Sequence, residues 1–301
     1  MRSIRRSEFK NYLKEEVDRT KGRIYPVKAS FLRRLLIRKA ACASIHPNPC
    51  DEFCLPGIGP NYEIIAGYED DYRNYKKNVP IFSYHRKSVT EPIIVEKTLP
   101  DGYMILNGHH RWAAALCAGK KQLDVKIVNL TSENDVRRML DRAASDRRVS
   151  LDLDEVVFLS GGEAPAEKAL HFPFSRIYKE RLRAGIPALF HFLNAQGWDI
   201  WVYSSKYYSW DYIRSYFRRY RVNVTGVVTG MGRKAPSGSN TGGSLEKMLD
   251  TRYRFSLHID RNTVLLTDKK TKEFREYPLT GQPDAWAREI MNTVEGIGAH
   301  E

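Results

Sequence analysis

Residues 149–158 read VSLDLDEVVF. Its dense apolar residues predict a buried strand, with Asp152 and Asp154 at its C-terminal end. Outward from it, elements of two kinds alternate. RLRAGIPALFHFLNAQG (181–197) has helical spacing and a capping Gly197, and DIWVYSS (199–205) reads as the next strand. SWDYIRSYFRRY (209–220) is a helix, NVTGVVTG (223–230) a strand and KAPSGSNTGG (234–243) a flexible loop. SLEKML (244–249) opens a helix before a last strand, FSLHID (255–260). This rhythm predicts an α/β architecture, a parallel sheet with helices on both faces. In such sheets chemistry sits at the carboxyl ends of the strands, where Asp152, Asp154, Ser204 and Asp260 all fall.

Two carboxylates two residues apart can divide labour. The first can attack phosphorus and hold a cation, and the second can protonate the leaving oxygen. Magnesium suits a donor set of carboxylate and phosphate oxygens.

Residues 149–268 resemble the haloacid-dehalogenase-like phosphohydrolases. VSLDLDEVV is similar to their first motif and IWVYSS to the second, an apolar strand ending in Ser or Thr. SLHID is similar to the fourth. The resemblance implies a Rossmann-like domain with little or no cap, since 160–183 is short and broken by glycines. It implies Asp152 as nucleophile, Asp154 as general acid and base, Ser204 on the phosphate, and Asp152, Asp154 and Asp260 around Mg2+. The lysine of the third motif is Lys247, early on a helix, or alternatively Lys234. Where the family carries a second acid in the fourth motif, this chain has Asp260-Arg261-Asn262.

Upstream, PIIVEKT (92–98) and GYMILNG (102–108) read as a hairpin around Pro100-Asp101-Gly102. HRWAAALCAG (110–119) is a helix and DVKIVNL (124–130) a strand. Asn107, Gly108, His109, His110 and Arg111 thus form a turn between strand and helix. Glycine lets the backbone approach a ligand, the helix start offers N–H groups to an anion, and the His and Arg side chains add reach. These residues resemble the central turn of the ParB/sulfiredoxin superfamily, over about 40–130. That implies a nucleoside di- or triphosphate on the turn. By likeness to the free serine kinases, it implies an early-loop acid, Asp51 or Glu52, as base. His109 stands where sulfiredoxins carry their reactive Cys, which argues against peroxiredoxin repair.

The chain of 301 residues carries a formal net charge of +13, and residues 1–40 hold 13 Lys/Arg against 4 Asp/Glu. Such a balance favours anionic partners. The apolar spacing of Phe9, Tyr12 and Leu13, and of Phe31, Leu32, Leu35 and Leu36, predicts buried helix faces. Nothing approaches about 18 consecutive apolar residues, so no membrane span or membrane partner is expected. The acidic residues in this segment and the lack of an apolar leader point to the cytoplasm. Cys50 and Cys54, with His46 and His85, have spacing a zinc site could use, but no second pair follows and reduced thiols are the better reading.

The expected organisation is a basic helical arm (1–40), a ParB/sulfiredoxin-like nucleotide-binding domain (41–148) and a phosphohydrolase domain (149–301). The first domain would bind a nucleotide, as a kinase, a nucleotidase or a gate, and the second would hydrolyse a phosphorylated small molecule. The rival is a nucleic-acid-binding or regulatory protein without turnover. The basic arm would contact phosphates, as would Arg214, Arg218, Arg219 and Arg221, with Tyr212, Tyr216 and Tyr220 stacking on bases.

Overall fold

A computed structural model describes residues 4–74, 88–161, 165–230 and 241–298. Contacts divide the described chain into two units, one up to Asn129 and one from Leu130 onward.

In the first unit, α1 (Arg6–Thr20) buries Phe9, Leu13, Glu16 and Thr20. The helix packs through Phe9 and Leu13, and of its acids only Glu16 is buried, with basic partners. Glu16 accepts from Arg19 at 2.7 Å and lies 2.7 Å from His46 Nδ1. Burial pushes Glu16 up, but its bonds to His46 and Arg19 outweigh that and hold it below the usual carboxylate range. Arg6 donates to the buried Glu69 at 2.8 Å. The α1 part of the stretch read as a basic helical arm therefore packs onto this unit's core. After β1 (Tyr25–Pro26) comes α2 (Phe31–Leu36), which corrects the expected burial. None of its residues is buried, and Phe31, Leu32, Leu35 and Leu36 are exposed. The helix is short, and its Arg33 contacts the unit instead, with Nε 3.3 Å from the Tyr103 hydroxyl.

β2 (Lys39–Ala41), β3 (Ile45–His46), α3 (Tyr62–Asn74), β4 (Ile93–Leu99), β5 (Tyr103–Asn107), α4 (His109–Cys117) and β6 (Gln122–Ile127) complete the unit. The sheet runs β2-β6-β4-β5-β3, with β1 beside β4. The β4–β5 hairpin forms as expected. Trp112, Ala113, Ala114 and Ala115 pack with Phe9, Ile93, Val95 and Ile105, so α4 is held against the sheet.

The second unit opens with α5 (Glu133–Leu140), capped by Ser132 and Asp135 in reciprocal bonds. This helix, read as the lead-up to a boundary at 148, lies with the second unit. It is followed by β7 (Arg147–Asp152), α6 (Phe174–Ile177), α7 (Ile186–Ala195), β8 (Asp199–Ser204), α8 (Trp210–Arg219) and β9 (Gly226–Thr229). Then come α9 (Thr241–Arg252), β10 (Phe255–Ile259), β11 (Thr263–Asp268), β12 (Glu273–Pro278) and α10 (Trp286–Gly298). The strand order is β12-β11-β10-β7-β8-β9. β10, β7, β8 and β9 are parallel, as the alternation predicts, whereas β11 and β12 are antiparallel additions.

Period-2 alternation gives the sheet two buried faces. Val149, Leu151, Ile200, Val202 and Leu257 meet Leu189, Phe190, Phe217 and Ile290 on one face. Trp201 and Val228 meet Val136, Met139, Leu249 and Tyr253 on the other. Gly226 is required by this packing, because a Cβ there would lie 2.1 Å from the Trp201 ring. The loop 234–243 falls largely outside the described residues, as do Lys234 and His85.

Candidate functional site

β7 ends at Asp152 because that side chain turns forward onto the backbone. Its Oδ1 accepts from Asp154 N at 2.6 Å and Glu155 N at 2.8 Å. Residues Leu153–Val157 then form a single wide π-type turn. The strand expected through Phe158 therefore stops at Asp152, and the two acids are separated by a change of backbone direction.

The turn brings Asp154 to the end of β8. Ser204 Oγ donates to Asp154 Oδ2 at 2.8 Å, and Ser205 adds its N–H and hydroxyl, each at 3.2 Å. Lys206 Nζ is 3.4 Å from Asp154 Oδ1, a buried oxygen that accepts no hydrogen bond. Lys206 N donates to Ser204 Oγ at 3.0 Å. Ser205 and Lys206 were missed in the sequence, although two hydroxyls and a lysine directly after an apolar strand are the available signal.

Asp260 follows β10, whose Ile259 pairs with Leu151 of β7, so Asp152 and Asp260 leave neighbouring parallel strands at the same level. Asp260 Oδ1 accepts from Arg261 N at 2.6 Å. Among the described residues, no group of three or more His, Cys, Asp or Glu is assembled to hold a metal. Asp154, expected as a third ligand, is turned toward the serines and Lys206. Two strand-end carboxylates of hard-oxygen character remain, and they fit magnesium by donor type. Lys247 is exposed on α9, where its carbonyl accepts from Thr251, and no described bond joins its ammonium to either acid. Lys206 is the ammonium that the structure brings to Asp154, a residue the sequence reading did not single out.

In the first unit, Gly108 caps α4 with φ 107°, a left-handed conformation. A Cβ there would lie 2.6 Å from Ile93 Cγ2 and 3.0 Å from Arg111 Nη2. Arg111 is buried. It donates from Nη1 to Glu91 O at 2.6 Å and from Nη2 to Asn107 Oδ1 at 3.3 Å, so it braces the turn. His109 Nε2 accepts from Asn48 N and His110 Nε2 from Asn61 N, each at 3.2 Å. Phe53 stacks on His109 at 5.3 Å and meets His110 edge-on. The loop 48–61 is thereby fastened over the start of α4. Asp51 Oδ1 accepts from Phe53 N and lies 3.6 Å from His109 Nδ1, and Glu52 sits on the same short turn. Burial pushes His109 down to about 4 despite Asp51, and it lowers His110 as well. The imidazoles are thus held as neutral acceptors, and the helix N-terminus rather than an imidazolium is what an anion would meet.

This arrangement sets a pH dependence. A histidine held neutral when folded and titrating near 6.5 when unfolded contributes stability fully above pH 6.5, which is lost as pH falls toward 4. The loss expected is on the order of 3 kcal/mol. Denaturant unfolding at pH 7.5 and 4.5 should show it, and His109→Gln should flatten the difference. Equal pH slopes for the two proteins would contradict it.

The aromatics proposed to stack on bases are engaged inside the second unit. Tyr216 is buried and donates to Glu180 O at 2.9 Å, while Tyr212 donates to Ile177 O and the Glu180 carboxylate. Tyr220 donates to Lys168 O at 3.1 Å. Arg219 lies 3.8 Å over the Phe174 ring. Tyr212, Tyr216 and Tyr220 thus pack with this unit's core, the reading that their helical spacing favours. Cys54 and Cys42 are pushed up by burial, to about 12 and about 11, which makes them poor thiolates. No described helix is long and apolar enough to cross a membrane.

Comparison with known proteins gives a partial answer. Residues 81–142 match the ParB N-terminal domain. No curated protein matches. Two solved structures of the C-terminally truncated chromosome-partitioning protein ParB from Caulobacter crescentus are similar to part of the chain. The one complexed to the centromeric parS site is 20% identical, covers 35% of this chain and 47% of that chain, and has a TM-score of 0.22. The one complexed with CTP-γ-S is 23% identical, covers 36% and 59%, and has a TM-score of 0.23. The chain therefore spans about half the length of each. It carries a ParB-like N-terminal domain, joined to a second α/β unit built on a mainly parallel sheet.

Proposed function

We propose that the second unit is a magnesium-dependent phosphohydrolase of the haloacid-dehalogenase-like type, and that the ParB-like unit binds a nucleoside di- or triphosphate at the start of α4. The observation that carries the first part is the turn after β7. It fixes Asp152 at the strand end and hands Asp154 to Ser204 and Lys206. An Asp152 carboxylate oxygen forms a bond to phosphorus as the ester P–O bond breaks, and Asp154 gives its proton to the leaving oxygen. Water then attacks phosphorus, Asp154 takes back a proton, and Asp152 is freed with inorganic phosphate. In this reading Ser204 and Lys206 would receive phosphate oxygens. Asp152 and Asp260 would hold magnesium, which supplies charge neutralisation to the transferring group. Chelation of the full chain with EDTA should reduce hydrolysis of generic phosphate esters to background, and added magnesium should restore it. Turnover undiminished by EDTA would sink the magnesium assignment.

A second reading is favoured by the family match over residues 81–142. It is a regulatory or nucleic-acid-binding ParB-like protein whose second unit does not turn over. Salt separates the two, because binding to a polymer of phosphates weakens steeply as salt rises, whereas ester hydrolysis needs no polymer.

For the ParB-like unit, Arg111→Ala should weaken nucleotide binding by roughly 1.5–3 kcal/mol, the loss of charged hydrogen bonds that hold the turn. Calorimetric titration of ATP, ADP and CTP into the full chain tests this. No binding at millimolar nucleotide, or equal binding by the variant, would leave α4's start with a structural role alone.

A further inference from the structure

Beside the Asp152 turn lies a cavity of about 270 Å³ lined by Glu155, Phe158, Arg183, Arg261, Asn262 and Trp286 among others. Its two guanidiniums are built in. Arg183 is buried, with 8% of its surface exposed. It donates from Nε to Val156 O at 2.8 Å and lies 4.9 Å over the Trp286 ring. Arg261 donates from Nε to Glu155 O at 2.7 Å, and Trp286 Nε1 donates to Arg261 O at 3.0 Å. Both arginines are thus oriented by carbonyls of the turn that follows Asp152, and Trp286 braces both.

Among the described residues their charges are not balanced. The described ion pairs of this unit include neither guanidinium. Glu155 is the one acid among the described lining residues, against two arginines. Like charges sharing a partly desolvated cavity repel, and that repulsion is relieved by a bound anion. The walls also fix where the anion would sit. Glu155 is three residues from Asp152, and Arg261 is next to Asp260, so the cavity adjoins the strand ends where the phosphate ester would react.

We propose that the Arg183–Arg261 cavity seats a second anionic group of the substrate, a phosphate or carboxylate remote from the scissile phosphate. This rests on the phosphohydrolase reading. The substrate class is then a phosphate ester with two anionic ends, and Arg261 takes the place where a second acid of the fourth motif would stand. Planar guanidiniums suit both oxyanions.

Two measurements on the full chain test the proposal. The first is calorimetric titration of sulfate in EDTA, which needs no turnover. Sulfate should bind the unaltered protein and Lys206→Gln, and bind Arg261→Gln and Arg183→Gln at least about tenfold more weakly. Arg261 is exposed, so its variant tests the cavity even where loss of the buried Arg183 disturbs folding. No binding, or binding lost only in Lys206→Gln, would overturn the proposal. The second is the kcat/KM ratio for paired esters. Fructose 1,6-bisphosphate against fructose 1-phosphate probes a second phosphate, and 3-phosphoglycerate against glycerol 3-phosphate probes a carboxylate. The two-anion member of at least one pair should be preferred about tenfold or more, with the preference collapsing in Arg261→Gln. Ratios near one would overturn it. Arginine-dependent sulfate binding without turnover of any ester would instead retain an anion site and remove the phosphohydrolase reading.

Discussion

Asp152→Asn is expected to leave a folded chain whose proposed phosphate-ester turnover is lower by at least about a thousandfold, the scale seen when a nucleophile is removed. The fold survives because the amide keeps a carbonyl oxygen where Asp152 Oδ1 accepts from Asp154 N and Glu155 N. The turn therefore persists and Asp154 still meets Ser204. What would be lost is the charged oxygen proposed to attack phosphorus and one of two strand-end carboxylates near β10. Circular dichroism should match the unaltered protein while hydrolysis vanishes. Turnover by the variant at the unaltered rate would remove Asp152 from the chemistry.

The second large effect lies in the ParB-like unit. Gly108→Val should destabilise that unit by more than about 3 kcal/mol, through positive-φ strain on a β-branched residue and overpacking. The added Cβ would lie 2.6 Å from Ile93 Cγ2 on β4 and 3.0 Å from Arg111 Nη2, both buried residues with little room to give. The displaced Arg111 would also release Glu91 O and Asn107. Thermal unfolding followed with nucleotide titration should show a lowered transition and no binding. An unchanged midpoint would mean that the start of α4 is looser than its packing indicates.

These two positions also mark what could be read from sequence. Asp152 was legible because a dense apolar strand ending in acids is a strong signal, and Gly108 because a strand, a glycine and an Ala-rich helix follow in order. The turn at Leu153–Val157 was not legible. Its cause is the capping of two N–H groups by Asp152, a local bond that outweighs the strand propensity of Val156 and Val157. Lys206 was not legible because chain order says nothing of which ammonium reaches Asp154. α2 misled because its apolar spacing matched a buried face, yet Arg33 is the side chain that touches Tyr103. Of the two histidines read as adding reach to an anion, His109 is a buried acceptor, since burial outweighs the attraction of Asp51, and His110 is a half-buried acceptor. β11 and β12 extend the parallel sheet with an antiparallel edge that the β-α-β rhythm gave no reason to expect.

The most direct test of the phosphohydrolase account is mass spectrometry of the full chain after acid quench during turnover of a phosphate ester with magnesium. The expected result is one added phosphoryl group on the peptide that contains Asp152, absent from Asp152→Asn and from protein kept in EDTA. Turnover that persists in Asp152→Asn, or a phosphoryl group found on a peptide without Asp152, would contradict the account.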